Sequence, residues 1–248
     1  MRIAALYDIH GNLPALEAVL YDIQQTGADK IVAGGDVIVG PMSRECLDCL
    51  LSYNIPVHFI LGNCETAVLA QMRGKDTGPL PPQVSEIIQW TAKQLHPYHE
   101  EILAAWPKVL QLEIEGIGKI LFCHATPRGE NEYFTCLTPE EKLIPVFKNI
   151  DADVVVCGHT HMQFDKMIGR LRVINAGSVG MPFGNAGAYW LMCGPAIELR
   201  YTNYDLAAAC NRINATSYPG AAEFAANNVQ RPPSRKKMLE LFKHAELK

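Results

Sequence analysis

Ile31-Val32-Ala33-Gly34-Gly35-Asp36-Val37-Ile38-Val39-Gly40 opens as a short apolar run rich in β-branched residues. It then breaks at two glycines and presents a single carboxylate before a loop that reaches Gly40-Pro41. A run of this kind between turn residues reads as a buried strand. Open α/β sheets bind ligands just beyond the carboxyl ends of their strands, which is where this reading puts Asp36. A simple turn aspartate would look the same in isolation, so the decision rests on whether the pattern recurs.

It recurs four times. Arg2–Tyr7 reads as a strand running into Asp8-Ile9-His10-Gly11-Asn12, and Val57–Leu61 runs into Gly62-Asn63-Cys64-Glu65. Lys119–Cys123 runs into His124-Ala125, and Val154–Cys157 into Gly158-His159-Thr160-His161. Between the first three strands lie helical stripes. One carries Leu13, Leu16, Val19, Leu20 and Ile23, with Pro14 in its first turn and Gly27 at its close; the other starts at a capping Ser43 and carries Cys46, Leu47, Leu50 and Leu51. Strand, helix, strand in succession predicts right-handed βαβ units and a locally parallel sheet.

Later in the chain the pattern turns to hairpins. Leu110–Ile114 pairs with Lys119–Cys123 around Gly116-Ile117-Gly118, Phe164–Ile168 with Leu171–Ile174 through Gly169-Arg170, and Ala188–Met192 with Ala196–Tyr201 through Gly194-Pro195. Pro139–Lys148 reads as a short helix. The single domain expected over 1–248 has two helical additions. Residues 66–107, broken by Gly74, Gly78, Pro79, Pro81 and Pro82, are the candidate cap over the site, with His96 and His99 read as surface residues. Residues 205–248 form a tail whose Arg231, Arg235, Lys236, Lys237, Lys243 and Lys248 suit a solvated helix face.

Composition narrows the function classes. Of 248 residues, 48% are hydrophobic and 19% charged, with a formal net charge of −4, which fits one globular core and argues against a chain that coats nucleic acid. There is no basic groove or aromatic platform for nucleic acid. No apolar run approaches the roughly 18 residues needed to span a bilayer, and the N-terminal run meets Asp8 and His10 too soon for a signal peptide. The expected location is the cytoplasm. Cys123, Cys157 and Cys193 sit in strand-like runs, where a thiol is a small hydrophobe. Cys46-Leu47-Asp48-Cys49 has no second CxxC to make a metal or redox site.

The strand ends therefore carry Asp8, His10, Asp36, Asn63, His124, His159 and His161. Seven oxygen and imidazole donors in such positions suit two-metal hydrolysis, in which a pair of divalent ions clamps a phosphoryl group and acidifies a water. Mixed histidine, carboxylate and amide donors favour manganese, iron, cobalt, nickel or zinc over calcium, with manganese the first expectation. A structural zinc site would be cysteine-rich and closed.

Asp8-x-His10, Gly35-Asp36 with Gly40, Gly62-Asn63-x-Glu65, His124 and Gly158-His159-x-His161 resemble the five ordered motifs of the calcineurin-like metallophosphoesterase superfamily. Asn175-Ala176-Gly177-Ser178-Val179-Gly180 resembles the segment that follows them in its small bacterial and archaeal members. The resemblance implies a four-layer α/β/β/α sandwich of two mixed sheets flanked by helices. It further implies that Asp8, His10 and His161 bind one divalent metal ion and Asn63, His124 and His159 a second, with Asp36 bridging and a metal-bridging hydroxide as nucleophile. Many members have histidine where this chain has Cys64, a residue there tied to the leaving group. A thiol, with its reference pKa near 8.5, is the poorer charge stabiliser, so a substrate whose leaving group needs little help is expected. Phosphodiesters, nucleotide phosphoanhydrides and dinucleoside polyphosphates qualify, with protein phosphatase activity a further alternative on the same site. Asn12 and Arg128 are the candidate substrate contacts, arginine because its fork suits phosphate. A non-catalytic binding scaffold on the same fold is the alternative of another class. The expected partner is a small phosphorylated molecule, nucleotides included, and a homo-oligomer stays open.

Overall fold

A computed structural model describes residues 1–247, which hold two five-stranded sheets. In the first, β1 (Ile3–Leu6), β2 (Lys30–Ala33) and β3 (Val57–Phe59) run parallel, and β9 (Ala188–Cys193) and β10 (Ile197–Thr202) add antiparallel neighbours in the order β10-β9-β1-β2-β3. In the second, β5 (Gly118–Cys123), β6 (Val154–Cys157) and β8 (Leu171–Asn175) are parallel. β4 (Val109–Ile114) and β7 (Phe164–Ile168) close its edges in the order β4-β5-β6-β8-β7. All three hairpins read from the glycine turns are present.

Side-chain alternation along each strand builds the layers. On β1, Ile3 and Ala5 turn inward, where they meet Val32, Ile120, Phe122, Val154, Val156 and Ile174 between the two sheets. Ala4 and Leu6 turn outward into a second core with Leu16, Val19 and Leu20 of α1 (Leu13–Thr26) and Cys46, Leu47 and Leu50 of α2 (Ser43–Leu51). On the far side, Leu121, Cys123, Val155 and Val173 pack against Leu143, Val146 and Phe147 of α6 (Glu140–Phe147). The order helix, sheet, sheet, helix is the four-layer sandwich. Strands buried on both faces explain why β1, β2 and β6 read as unbroken apolar runs.

The 66–107 stretch completes α3 (Asn63–Met72) and supplies α4 (Pro82–Gln94) and α5 (Pro97–Ala104). Val68, Leu69, Ile88, Leu95, Leu103 and Trp106 join the core outside the first sheet. His99 is not a surface residue: it is fully buried, with Nε2 2.9 Å from Asp48 Oδ1 on α2 and Nδ1 accepting the His96 N–H. Ser43 lies inside α2 and donates to the Gly40 carbonyl at 2.7 Å, so the N-cap position falls to Met42. The tail forms α7 (Leu206–Asn214), α8 (Ala221–Phe224) with a π-helical turn to Gln230, and α9 (Arg235–Lys243). Arg231, Arg235, Lys236, Lys237 and Lys243 are exposed, and Lys248 lies outside the described residues.

Candidate metal centre

The carboxyl ends of the parallel strands of both sheets meet at one seam. Backbone hydrogen bonds stitch the loops there: Asp8 N–H to Gly35 O (3.1 Å), His10 N–H to Asp36 O (2.9 Å), Gly158 N–H to His124 O (2.8 Å) and Gly180 N–H to Asp8 O (3.0 Å). Asp8, His10, Asp36, His159 and His161 are the five non-glycine residues with left-handed backbone among the described residues, at φ between 46° and 66°. Non-glycine residues rarely adopt this conformation, and it gathers at functional sites because the surroundings must enforce it. Gly62 has to be glycine because a Cβ there would run into Asp36 Oδ1 and the Asp36 N–H.

Three of the four imidazoles are aimed from behind. His10 Nδ1 faces Val39 O at 3.2 Å, His124 Nδ1 faces Gly34 O at 2.9 Å and His161 Nδ1 faces Met181 O at 2.7 Å. A carbonyl at Nδ1 takes the ring N–H and leaves the Nε2 lone pair pointing inward, the arrangement that orients ligating histidines. Inward, His10 Nε2 and His161 Nε2 lie 3.1 Å apart. His124 Nε2 lies 3.2 Å from His159 Nδ1 and 3.0 Å from Asn63 Oδ1. Asp36 Oδ2 stands between the two groups, 3.8 Å from His10 Nε2 and 3.5 Å from His124 Nε2. Asp8 Oδ1 is 3.4 Å from His161 Nε2 and is buried without a hydrogen bond, while its Oδ2 accepts the His159 N–H at 2.8 Å. The structure thus brings all seven strand-end donors together, in two sets, Asp8-His10-His161 and Asp36-His124-His159, with Asn63 on the second.

The electrostatics fit cations at these two places. Burial alone would discharge His124, but Asp36 and then Asp8 push it up to about 10. Burial and the neighbouring charge of His124 take His159 down to about 3. The other pair divides in the same sense: against burial, Asp8 holds His161 above its usual value, while burial and His161 push His10 down. Within each facing pair one imidazole is thus favoured to hold a proton and its partner is not, beside a carboxylate. A divalent ion displacing that proton would meet two lone pairs and a negative oxygen, so the donor set fits metal at both places.

Cys64 donates its N–H to Asp36 Oδ1 at 2.9 Å and its thiol to Asp36 Oδ2 at 3.1 Å. Burial, then the charges of Asp36 and Glu65, push that thiol well above its ordinary value, so it stays neutral. Asn12 is not open to a substrate. It is fully buried, caps α1 by accepting the Ala15 N–H at 3.3 Å, and donates to Gly180 O at 3.0 Å. Arg128 is exposed beside the cluster, its guanidinium paired with Glu132; with His124, Thr126 and Lys108 it lines a cavity of about 20 Å³, room for about one water.

Two features have no counterpart in the list of strand-end donors. Glu65 is fully buried and accepts four backbone N–H groups, from Asp36 and Val37 (both 2.7 Å), Gly62 (3.0 Å) and Ile38 (3.3 Å). Tyr133 lies on His159 with ring centroids 4.4 Å apart, and Phe183 stacks on His161 at 4.9 Å. No periodicity marks Tyr133 or Phe183, which sit in irregular loops. Glu65 is visible only as the last letter of its motif.

A fold of two mixed sheets with aspartate, histidine and asparagine converging on their shared seam defines a metal-dependent hydrolase of the phosphoesterase type. The model of the calcineurin-like phosphoesterase superfamily domain matches residues 1–193, and the chain belongs to that superfamily and is a metallophosphoesterase. It is 30% identical over 238 residues to an uncharacterised protein of Methanocaldococcus jannaschii, covering 88% of this chain and 93% of that one. It is 28% identical over 202 residues to the phosphodiesterase YfcE of Escherichia coli, covering 77% and 87%. Among solved structures, a hypothetical protein from Pyrococcus horikoshii superposes with a TM-score of 0.79 at 19% identity, over 94% of this chain and 99% of that one. A metallophosphoesterase from Sphaerobacter thermophilus gives 0.69 at 24%, over 92% and 99%. Both confirm the fold.

Proposed function

We propose that the chain hydrolyses phosphodiesters or nucleotide phosphoanhydrides at a two-cation centre, with Asp8, His10 and His161 holding one ion, Asn63, His124 and His159 the other, and Asp36 shared. The observation that carries this is the position of Asp36 Oδ2, within 3.8 Å of an inward Nε2 in each set. When bound, such a pair supplies a water of lowered pKa and positive charge for the phosphoryl oxygens. The chain's own residues do the rest. The carbonyls of Gly34, Val39 and Met181 fix the imidazoles of His124, His10 and His161. Glu65 pins the Asp36 loop, and Cys64 holds the Asp36 carboxylate through its N–H and thiol. A neutral thiol engaged in that way offers little to a leaving group, which favours activated esters and anhydrides, and the likeness to the Escherichia coli phosphodiesterase supports diesters. Manganese is the proposed ion. Arg128 is the proposed rim contact, released from Glu132 by an anionic substrate.

Among the described residues no helix is long and apolar enough to cross a membrane. All eight cysteines are free thiols, which suits a reducing compartment such as the cytoplasm. The deciding experiment is a manganese-supplemented panel of monoesters, diesters, dinucleoside polyphosphates and phosphopeptides, run on wild type and Asp36→Asn. Diesters or anhydrides should lead the panel, and Asp36→Asn should lower turnover by orders of magnitude with the fold intact. Faster turnover of simple alkyl monoesters, or wild-type rates for the variant, would overturn the reading.

A further inference from the structure

Charge builds on the leaving oxygen as a phosphodiester P–O bond breaks, and a fixed hydrogen-bond donor aimed at that oxygen is the usual way a protein stabilises it. Around Asp36 the obvious donor, the Cys64 thiol, is already spent on Asp36 Oδ2. Two aromatic side chains pack on imidazoles of the metal set, Tyr133 on His159 and Phe183 on His161, and of the two only the tyrosine carries a hydrogen-bond donor. Tyr133 is half-buried.

The position of Tyr133 is tightly specified. Its ring lies on His159 at 4.4 Å and stacks with Phe242 of α9 at 5.4 Å, with planes 23° apart. Its carbonyl accepts the Leu247 N–H at 3.1 Å, in a bridge between Tyr133 and Glu246. The ring is thus held by an imidazole of the metal set on one hand and by the C-terminal segment on the other. That segment lies beyond the residues matched by the superfamily model.

We infer that Tyr133 is a catalytic residue of this chain, its hydroxyl donating a hydrogen bond to the leaving oxygen of the diester. This rests on the phosphodiester reading above and adds to it the group that serves the leaving side. In the step, an oxygen from water forms the new P–O bond and gives up its proton to solvent, while the bond to the leaving oxygen breaks and its electron pair stays on that oxygen. Tyr133 keeps its proton, and the departing alkoxide takes one from solvent.

The test is Tyr133→Phe, which keeps the ring on His159 and removes only the hydroxyl. Wild type and variant are compared, with manganese content measured, on diesters of one series whose leaving groups run from 4-nitrophenol through phenol to methanol. The loss in kcat should grow from about two- to threefold on the nitrophenyl ester to roughly 10- to 100-fold on the methyl ester. KM should move less than kcat. Metal stoichiometry and the affinity of the loaded protein for inorganic phosphate, read by calorimetry, should match wild type within about twofold. A loss of equal size along the series, or no loss, overturns the assignment, as does a variant that binds less metal. A wild-type enzyme with full metal that is inactive on every diester overturns the phosphodiester reading and this assignment together, whereas an active wild type with a flat loss overturns the assignment alone.

Discussion

Glu65 touches nothing that reacts, yet its carboxylate anchors four amides of the loops carrying Asp36 and Asn63. Burial and the charge of Asp36 raise it to about 7. Glu65→Gln would turn an NH₂ toward two of those N–H donors and leave them buried and unpaired, at a cost of about 1–3 kcal/mol. The expected result is a stability loss of that size by denaturant titration, with kcat lowered at least tenfold because Asp36 loses its register. Glu65→Gln with wild-type kcat would show that the loop holds without it. His124 gives a second residue-level expectation, through its proton. Held up to about 10 in the fold against an ordinary 6.5, it binds a proton in the metal-free native state that the unfolded chain releases. The stability this contributes is complete below about pH 6.5 and is lost as pH rises through about 10. A cation at Nε2 must expel the same proton, so metal affinity should rise with pH over that window. Calorimetric titration of manganese at pH 8 in buffers of different ionisation enthalpy should register at least one proton released. None released would mean that His124 is not a ligand.

At the scale of elements, strands were legible and their far neighbours were not. β1, β2 and β6 are buried on both faces, so their apolar runs carry the signal whatever packs on them, and the glycines between β4 and β5 or β7 and β8 mark the hairpins locally. The donors at the strand ends were legible for the same reason, since a strand end is a local feature. His99 was misplaced because its partner, Asp48, is 51 positions away on α2, and Asn12 because a capping amide and a substrate amide look alike until Gly180, 168 positions on, arrives to accept from it. The tail is the largest case. Its basic residues drew attention, while the residues that matter to packing are Met238 and Phe242, which join Met162, Tyr133 and Phe183 in a small separate cluster. Glu246 adds hydrogen bonds from Thr135 and Thr138 at 3.2 and 2.7 Å. Phe242→Ala should therefore unfasten α9 without melting the sheets, costing no more than the roughly 3–5 kcal/mol of a core Phe→Ala change. Hydrogen exchange should lose protection over 235–246 and 133–138 and keep it over β1, β5 and β6. Loss of protection in the strands would mean that α9 belongs to the main core.

On the scale of the whole molecule, the seam that holds the site is also the joint between the two sheets. Asp8, His10, Asp36 and Asn63 come from the first sheet's strand ends, and His124, His159 and His161 from the second's. Away from the seam the sheets are joined by an apolar core whose inward residues have no directional preference for one alignment. At the seam, six buried acidic and imidazole groups press together, with Asp8 Oδ1 and His159 Nε2 left without a hydrogen bond, a desolvation that costs the fold while no cation is present. Metal binding should thus act as a staple between the sheets and be visible in stability as well as in turnover. With free metal at about 100 times its Kd, linkage gives about 2.7 kcal/mol, which for a domain near this size is a rise in Tm of roughly 5–10 °C. Thermal melts of chelator-treated and manganese-loaded protein should differ by that amount. Asp36→Asn should melt near wild type when stripped and gain little on adding manganese, because the oxygen that faces both sets is gone. If stripped and loaded wild type melted together, or if Asp36→Asn gained as much as wild type, the two sheets would not be joined through a cation at that carboxylate.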